Sequence, residues 1–228
     1  ARQQALEMLA LDTPFSGTLR LGVVETVAHS WLPDFLSELA QRFPDMTLEL
    51  EIDSSPGLAK KLSQNDIDLA FLMGPVNAED VLTRFLCGYT MGLVASPELG
   101  LDPVDFSLQM IGKTPLITFA RHTRPYHELG SILHQKGLDS VKLHCSSSLW
   151  TIVRMTLDGI GIGAIPPRIV SKELASGTLV KLPCQLPALN FTACWPRHLD
   201  SELAEGITQL AIEIAQRDQI AHEPQGKS

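Results

Sequence analysis

The sequence predicts an α/β protein made of two lobes, each an open, Rossmann-like sheet flanked by helices. Strand-like and helix-like segments alternate along most of the 228 residues, the pattern produced by crossover units in a parallel sheet. Two such series occur, over residues 18–74 and 116–182. A closing strand and a long helix follow with no partners left in the second series, so the simplest topology returns them to the first lobe. The chain would then cross between the lobes twice, near 88–93 and 186–192.

The composition is that of a globular protein with a sizeable core that does not itself bind nucleic acid. Hydrophobic residues make up 44% of the chain, and 26 acidic against 18 basic residues give a net charge of −8, which leaves no electrostatic footprint for a phosphate backbone. No window of about 18 residues is apolar and free of charge, so we expect neither a membrane-spanning helix nor a membrane partner. In a cytoplasmic protein, we expect reduced thiols rather than a disulfide at the four cysteines: Cys87, Cys145, Cys184 and Cys194.

Residues 1–11 predict a short amphipathic helix, because good helix formers place the apolar side chains on one face. Pro14 ends this helix, since the residue before a proline avoids helical conformation. The helix has no neighbour against which to bury its face, and neither an initiator methionine nor the apolar run of a signal peptide precedes it. We therefore expect the chain to be part of a longer protein, in which this helix is the end of a longer one.

The first lobe is predicted to contain three strands joined by two helices. Leu48, Leu50 and Ile52 alternate on one face of the second strand, and the third strand is almost uninterruptedly apolar, as expected when both faces are covered. Ser55 and Pro56 predict the start of the second helix, as its cap and its first-turn proline. The predicted elements are a strand at 18–24, a helix over 31–43, a strand at 47–53, a helix from 55 to about 65, and a strand at 67–72.

The second lobe is predicted from the same alternation, with glycines ending its helices at Gly137, Gly159 and Gly177. Residues 218–228 are polar, and we expect them to be frayed. The predicted elements are strands at 116–120, 141–144, 160–165 and 178–182 and helices at 126–136, 149–157 and 169–174, followed by the closing strand at 189–195 and helix at 199–217.

Three motifs that suggest chemistry are better explained by structure. The glycines at 159–163 follow a helix and open a strand, the reverse of a dinucleotide-binding fingerprint, so we expect a helix end and a closely packed strand, and no cofactor. The serine run at 146–148 lacks the glycines of a nucleophile elbow and predicts a helix cap. A metal site is not indicated, because no ligand spacing beside a carboxylate is found at the following histidines: His122, His127, His134 and His144.

The turns that follow four of the predicted strands carry the most informative polar residues. These turns are Glu25-Thr26, Asp53-Ser54-Ser55, Ala120-Arg121-His122, and Ser146 to Thr151. In an open parallel sheet, ligands bind at the carboxyl ends of the strands, and hydroxyls beside the N–H groups of helix N-termini suit anions. Arg121 and Arg124 would add a charge-assisted clamp. The alternative is that Thr26 and Ser55 are only helix caps and that the arginines are only solvated.

Residues 19–71, LRLGVVETVAHSWLPDFLSELAQRFPDMTLELEIDSSPGLAKKLSQNDIDLAF, resemble the start of the effector-binding domain of LysR-type transcriptional regulators. The family pattern is a strand LRIG, a hydroxyl residue, LP…L..F…P…L.L, a helix, and G.LDLAI. The segments Leu93–Pro97 and Ser148–Pro166, the second of which ends LDGIGIGAIP, are similar to later family motifs. The resemblance covers about 18–217. One departure is Asn65-Asp66, where the family often has a glycine, and it affects only a loop.

The resemblance implies a two-lobed, type 2 periplasmic-binding-protein-like fold, with an inter-lobe cleft for a small-molecule inducer and no enzymatic activity. On this pattern residues 1–17 are the end of a linker helix and a connector, and the remaining chain divides into lobe I (18–90 and 190–217), lobe II (91–189) and a flexible tail (218–228). The family carries a winged helix-turn-helix before the linker, so promoter DNA and RNA polymerase would be partners only of the full-length protein.

The family also pairs these domains side by side and antiparallel. The resemblance therefore implies a homodimer through this domain, with the helix at 56–64 in the contact, and a tetramer at full length.

The resemblance also implies a set of effector-binding positions, and a carboxylate, an amino acid or an aromatic acid as the effector. Carried over residue by residue, the positions are Glu25, Thr26, Ser54, Met73, Phe119, Arg121, Trp150 and Thr151. Glu25 is a departure from a place that is more often small or neutral; opposite Arg121 it would suit an effector with both an amine and an acid, or else it points to solvent. Trp150 either stacks on an aromatic effector or fills space and narrows the pocket.

Two other classes of protein share this architecture. A solute-binding protein of a transport system would start almost directly at the first strand after a signal peptide, without a linker helix. Dehydratases of the prephenate type use a similar fold with a Thr-Arg-Phe motif, which occurs here at Thr83-Arg84-Phe85. That motif lies on the approach to the first crossing and not at a strand-to-helix turn, so we interpret it as a chance match.

Overall fold

The computed structural model describes residues 16–74, 76, 80–184, 186–197 and 201–222. The chain divides into two compact units, a first unit of Ala1–Cys87 with Asn190–Ser228 and a second unit of Gly88–Leu189. The helix predicted at 1–11 lies outside the described residues, as does the end of the tail, 223–228.

The chain forms ten strands and seven α-helices in its described part, and short 3-10 turns at Pro97–Leu99, Leu108–Ile111 and Pro167–Val170 connect some of them. In chain order the elements are β1 (Thr18–Val23), α1 (Glu25–Ala28), α2 (Leu32–Arg42), β2 (Thr47–Ile52), α3 (Ser55–Ser63), β3 (Leu69–Met73), β4 (Val81–Thr90), β5 (Gly92–Ala95), β6 (Leu116–Phe119), α4 (Arg124–Gln135), β7 (Leu143–Ser146), α5 (Leu149–Leu157), β8 (Ile162–Ile165), α6 (Ser171–Ser176), β9 (Val180–Leu182), β10 (Ala188–Pro196) and α7 (Ser201–His222).

The sheet of the first unit has the strand order β2-β1-β3-β10-β4. Its β1 is parallel to both β2 and β3, which confirms the two crossover units predicted over 18–74. The closing strand β10 pairs antiparallel with β3, and α7 packs against α2. The final strand and helix therefore belong to the first sheet, as the topology argument predicts.

The core of the first unit is built around an aromatic cluster of Trp31, Phe35 and Phe71, all fully buried. The ring of Phe71, on the central strand β3, lies 5.3 Å from that of Phe35 and 5.5 Å from that of Trp31, measured between centroids. Trp31 and Phe35 meet edge to face at 6.1 Å, an arrangement that aromatic pairs favour. The cluster thus joins α2 to the middle of the sheet.

The sheet of the second unit has the strand order β7-β6-β8-β5-β9. The first three strands in this order, β7, β6 and β8, are parallel. Strand β5 runs antiparallel to β8 and β9. Helix α5 covers this sheet with the buried side chains of Leu149, Ile152 and Val153. Together with the first sheet, this gives the α/β fold with two open sheets that the sequence predicts.

Strands β4 and β5 are absent from the sequence-based prediction, and other elements differ in their bounds. Strand β7, predicted at 141–144, lies two residues later, because its backbone pairing with β6 extends as far as Ser146. The helix predicted at 169–174 is a 3-10 turn followed by α6. Helix α7 runs to His222, past the predicted end at 217, since the residues up to 222 include neither glycine nor proline.

The glycines at 159–163 form a helix end followed by a closely packed strand, as predicted. Gly159 has a φ of 66° and ends α5. A Cβ on Gly161 would lie 2.5 Å from the carbonyl oxygen of Pro115, so only glycine allows the strand to approach this closely. At Asn65, where the resembling family often has glycine, φ is 60°, a conformation that asparagine tolerates better than most residues.

Among the helices described, none is long and apolar enough to cross a membrane. The four histidines at positions 122, 127, 134 and 144 are exposed, in agreement with the prediction that they are solvated. His134 pairs with Asp139 at 2.7 Å, and this hydrogen bond raises the pKa of the imidazole.

Candidate functional site

The carboxyl ends of β1, β2 and β3 form one edge of the first sheet, because these strands are parallel. The N–H of Asp53 donates to the carbonyl of Val23 at 3.2 Å, and the N–H of Val24 donates to the carbonyl of Phe71 at 3.0 Å. These bonds hold the turns that follow the three strands beside one another. Half of the predicted site residues lie at this edge: Glu25, Thr26, Ser54 and Met73.

Thr26 is the residue at this edge whose polar group the fold leaves unused. It lies in α1, is 3% exposed, and is not a helix cap, since Val24 occupies the N-cap position. Its carbonyl oxygen accepts a hydrogen bond from Ser30, but within the described residues no group bonds its hydroxyl. This oxygen is not among the fully enclosed, unbonded polar atoms of the described residues, so it stays accessible to water or to a ligand. A ligand group that bonded it would take the place of water in a mostly buried position.

The hydroxyls at the start of α3 are, by contrast, already used within the fold. Ser54 is the N-cap, and its Oγ accepts a hydrogen bond from the N–H of Gly57 at 3.3 Å. Ser55 accepts from the N–H of Met73 at 3.0 Å and so ties α3 to the end of β3. The prediction that Ser55 caps this helix is therefore wrong. Two adjacent serines satisfy the same cap preference, and only the backbone path decides between them.

Asp53 supplies an internal negative charge at the N-terminus of α3. Its carboxylate accepts the N–H of Ser54 at 2.7 Å and pairs with Lys61 at 3.1 Å, while Lys61 also contacts Glu51. Burial raises the pKa of Asp53, but the bonds from Ser54 and Lys61 outweigh it and hold the pKa below its ordinary value. The helix N-terminus is thus already complemented by a fixed anion.

Glu25 and Met73 complete the predicted positions of this edge. The Glu25 carboxylate lies 3.6 Å from Nε2 of His29, one helical turn later, and its side chain is 23% exposed. This contact places it along the flank of α1, beside His29. Met73 is half-buried at the last position of β3.

The carboxyl ends of β6, β7 and β8 form the corresponding edge of the second sheet. Phe119 ends β6 as the register partner of Ser146, and its half-buried ring packs against the core of the second unit. The other predicted residues of this edge follow the strands in the turns and first helical turns: Arg121, Trp150 and Thr151.

The two arginines predicted as a clamp have different surroundings. Arg124 is paired with Glu128 at 2.6 Å. Arg121 is exposed, and its guanidinium carbon lies 5.6 Å from the centroid of the Tyr126 ring. No carboxylate in the described ranges lies within ion-pair distance of Arg121. Arg121 is therefore the more available cation of the two.

Trp150 and Thr151 lie in the first turn of α5. Trp150 is 63% exposed, so its ring is not part of the core of the second unit. The N–H of Thr151 donates to Oγ of Ser148 at 3.3 Å, which makes Ser148 the N-cap of α5. The serine run is a cap, as predicted.

Arg168 is a residue of this edge that the sequence analysis did not single out. It follows β8 in the 3-10 turn Pro167–Val170, and its guanidinium carbon lies 4.0 Å from the ring centroid of Tyr89. The signal was available, because Arg168 comes directly after a predicted parallel strand. It lies between the strand predicted at 160–165 and the helix predicted at 169–174, which makes it part of a strand-to-helix turn like the other four.

The described residues hold no group of three or more histidine, cysteine or acidic side chains arranged to bind a metal ion. The four cysteines are thiols. Burial raises the pKa of Cys194 to about 12, so this thiol is protonated at neutral pH.

Comparison with known proteins gives a consistent set of matches. The chain matches the LysR substrate binding domain family over residues 12–214. It is 27% identical over 164 residues to the HTH-type transcriptional regulator GltR of Bacillus subtilis, a match that covers 72% of this chain and 54% of GltR. The chain thus spans about half the length of the first curated relatives it matches.

Two solved structures show the same fold. The reduced form of the regulatory domain of OxyR2 from Vibrio vulnificus is 23% identical, with a TM-score of 0.73 over 90% of this chain and 97% of that one. The C-terminal domains of a LysR family protein from Agrobacterium tumefaciens are 20% identical, with a TM-score of 0.73 over 88% of this chain and 97% of the other.

Proposed function

Because the chain belongs to the LysR substrate-binding domain family, we propose that it senses a small-molecule effector on behalf of a DNA-binding transcriptional regulator. The observation that carries this proposal is the hydroxyl of Thr26, a 3% exposed residue at the carboxyl edge of a parallel sheet. No group in the described part of the chain bonds this hydroxyl, and it is not fully enclosed. Ligands of open α/β sheets bind at that edge. A hydrogen bond between an effector and this hydroxyl would therefore contribute to effector binding.

We assign the effector contacts to both carboxyl edges, with different weights for different residues. Thr26 and Arg121 are the principal polar contacts, since neither side chain forms an ion pair or a hydrogen bond with a described residue. Met73, Phe119 and Trp150 would supply apolar contacts to a carboxylate, an amino acid or an aromatic acid. The remaining predicted positions contribute less, because each is tied to a neighbour within its own unit: Glu25, Ser54 and Thr151.

The experiment that tests the class is to read the coding sequence upstream of Ala1. We expect it to encode a winged helix-turn-helix joined to residues 1–17 by a linker helix, through which the full-length protein binds promoter DNA and acts with RNA polymerase in the cytoplasm. The acidic chain alone, with its net charge of −8, should not bind duplex DNA specifically. A signal peptide followed directly by β1 would instead support a solute-binding protein.

We propose that the chain has no catalytic role of its own. Thr83, Arg84 and Phe85, the residues of the dehydratase-like motif, are exposed within the edge strand β4. They do not lie in a turn at the carboxyl edge of the parallel strands, where a substrate of this fold would bind.

A disulfide switch within the second unit is also disfavoured. Cys145 lies on β7 and Cys184 follows β9, at opposite ends of a five-stranded sheet. At the spacing of neighbouring strands this separates them by about 19 Å, far beyond the reach of a disulfide. A disulfide between Cys145 and Cys184 would require the sheet to rearrange, whereas binding of an effector would not.

We further propose that the chain forms a homodimer, with a tetramer at full length. Leu50 and Ile52 are 40% and 54% exposed and lie on the same face of β2, an edge strand. This apolar strip, together with the predicted contact helix at 56–64, suits an interface with a second copy.

Charging that strip is expected to give a monomer. Ile52→Glu places a carboxylate in the proposed contact, where desolvation opposes association. Sedimentation velocity at micromolar concentration should show a dimer for the parent and a monomer for Ile52→Glu. The matched control is Val104→Glu, at an 85% exposed position of the second unit, which should remain dimeric. A parent that is monomeric at high concentration would contradict the proposal.

A further inference from the structure

The 3-10 turn Pro167–Val170 lies beside the segment that joins β4 to β5. Strand β5 pairs antiparallel with β8, and the pairing ends with Gly92 opposite Ile165. The two residues that follow Ile165 are prolines, which have no N–H and so donate no hydrogen bond that would continue the ladder. The antiparallel register still sets the residues after β8 opposite those before β5.

Two contacts hold the turn against this segment beyond the end of the ladder. The guanidinium carbon of Arg168 lies 4.0 Å from the ring centroid of Tyr89, within the range of a cation–π contact. Both residues are the third from the Gly92–Ile165 pair, so the register sets them opposite each other. A Cβ on Gly92 would lie 2.8 Å from Cγ of Pro167, so the proline ring packs directly on the Gly92 backbone.

Both partners of the cation–π contact are anchored in the second unit. The Tyr89 ring is enclosed, since the residue is only 2% exposed. The turn is held at its other end by Val170, which is fully buried in a cluster with Val94 and Ile117. A cation–π contact is stronger where water is excluded. The turn and the segment 89–92 therefore form one rigid piece.

Strand β4 passes from the first unit into the second without a break. It runs from Val81 to Thr90, and the boundary between the two units falls inside it, between Cys87 and Gly88. Before the boundary the strand is held by the first sheet, in which it neighbours β10. After the boundary it is held by the turn. A glycine inside a strand weakens the strand, and Gly88 occupies the position between these two anchors.

We propose that the turn Pro167–Val170 is a clamp, which fixes the segment Tyr89–Gly92 to the second sheet and confines the bending of β4 to Cys87–Gly88. Arg168 and Tyr89 are positioning residues in this clamp. The clamp is a conformational device of the second unit, and it goes beyond the proposed function because its test needs no effector. A failed test would therefore not count against effector sensing.

The first measurement is amide hydrogen exchange of the 228-residue chain, followed by NMR under conditions in which the rate reports the local opening equilibrium. Arg168→Gln removes the cation, and Tyr89→Leu removes the ring but keeps a buried apolar side chain. Each should speed exchange of the amides at 89–92 by about 5–30-fold, the change expected for the loss of a cation–π contact shielded from water. The amides of β6 should exchange as they do in the parent, because the effect is local.

The second measurement locates the bend. Collective bending motions occur on the microsecond-to-millisecond timescale, which relaxation dispersion of the backbone nitrogens detects. In the parent we expect dispersion at Cys87 and Gly88 and none at 89–92. In Arg168→Gln and Tyr89→Leu the dispersion should spread to 89–92. A role in stability alone would not change the place at which the motion occurs.

Three further variants separate the clamp from other effects. Arg168 and Tyr89 each take part in a further interaction, so the double variant is needed. If the pair acts as a unit, exchange at 89–92 in the double variant should match that of the faster single variant. Arg168→Lys keeps a cation over the ring and should show a smaller increase. The matched control Arg154→Gln removes an exposed guanidinium paired with Asp158 at 3.1 Å, and it should behave as the parent does.

Any one of three exchange results would overturn the clamp. Exchange at 89–92 is unchanged in both single variants, or it rises equally in β6, or the two single effects multiply in the double variant. Dispersion in the parent that already includes 89–92 would contradict the assignment of the bend to Cys87–Gly88.

Discussion

Replacing Phe71 by alanine is expected to lower the free energy of unfolding by about 3–5 kcal/mol. The ring is fully buried at the centre of the first sheet, between Trp31 and Phe35 at centroid distances of 5.5 and 5.3 Å. Its removal leaves a cavity beside Trp31 and Phe35 that the surrounding side chains would have to close. At about 2–4 °C per kcal/mol for a chain of this size, Tm should fall by about 6–20 °C.

The matched control is Phe85→Ala, in β4 of the same sheet, where the side chain is 59% exposed. Its removal should change the free energy of unfolding by no more than about 0.5 kcal/mol. Thermal and denaturant unfolding of both variants, followed by circular dichroism, measures the two effects side by side. If Phe71→Ala cost no more than Phe85→Ala, the aromatic cluster would not hold the first unit together.

The parallel strands and their helices could be predicted because burial imposes a period on them. In β1 the side chains of Leu19, Leu21 and Val23 are all buried, and in β3 every side chain is apolar. Such patterns report burial directly, since alternation marks a strand and a spacing of three to four residues marks a helix.

Strand β4 could not be predicted, because side chains that are not buried impose no period on the sequence. It is an edge strand, and three consecutive residues, Thr83, Arg84 and Phe85, are exposed. Its hydrogen bonds to β10 hold it in place whatever its side chains are, so no period appears in the sequence. The predicted bounds of the edge strand β7 differ from the observed ones by two residues for the same reason, because His144 and Cys145 are exposed and show no period.

The sequence predicts which turns form the candidate site, but it does not predict which of their polar side chains are already hydrogen-bonded within the fold. The order of strands places Glu25 to Thr26 and Asp53 to Ser55 at one edge, as expected. Which hydroxyls are already bonded depends on the backbone path, which the residue types do not show. Ser54 and Ser55 are bonded within the fold, whereas the Thr26 hydroxyl is not bonded by any described residue.

Thr26→Val is accordingly the second substitution for which a large effect is expected. Valine keeps the shape of the side chain and removes the hydroxyl, so an effector that bonds Thr26 should lose about 1–3 kcal/mol of binding free energy, or about 5–160-fold in Kd. The stability of the empty chain should change little, because the hydroxyl that is removed bonds no described residue.

Thr208→Val is the matched control. Thr208 is fully buried in the same unit, on α7, and its hydroxyl also has no partner in the part of the chain that the structure describes. It lies outside the turns at the carboxyl edge. The substitution should therefore leave effector affinity unchanged, which separates the loss of a ligand contact from the general effect of removing a buried hydroxyl.

The measurement that tests the central claim most directly is a thermal-shift screen of small carboxylates, amino acids and aromatic acids on the parent, Thr26→Val and Thr208→Val. The account predicts that an effector raises the Tm of the parent and of Thr208→Val by about 5–10 °C at a hundredfold excess over Kd. It predicts a markedly smaller shift for Thr26→Val. An effector that binds Thr26→Val as tightly as it binds the parent would contradict the assignment of the site to this edge of the sheet.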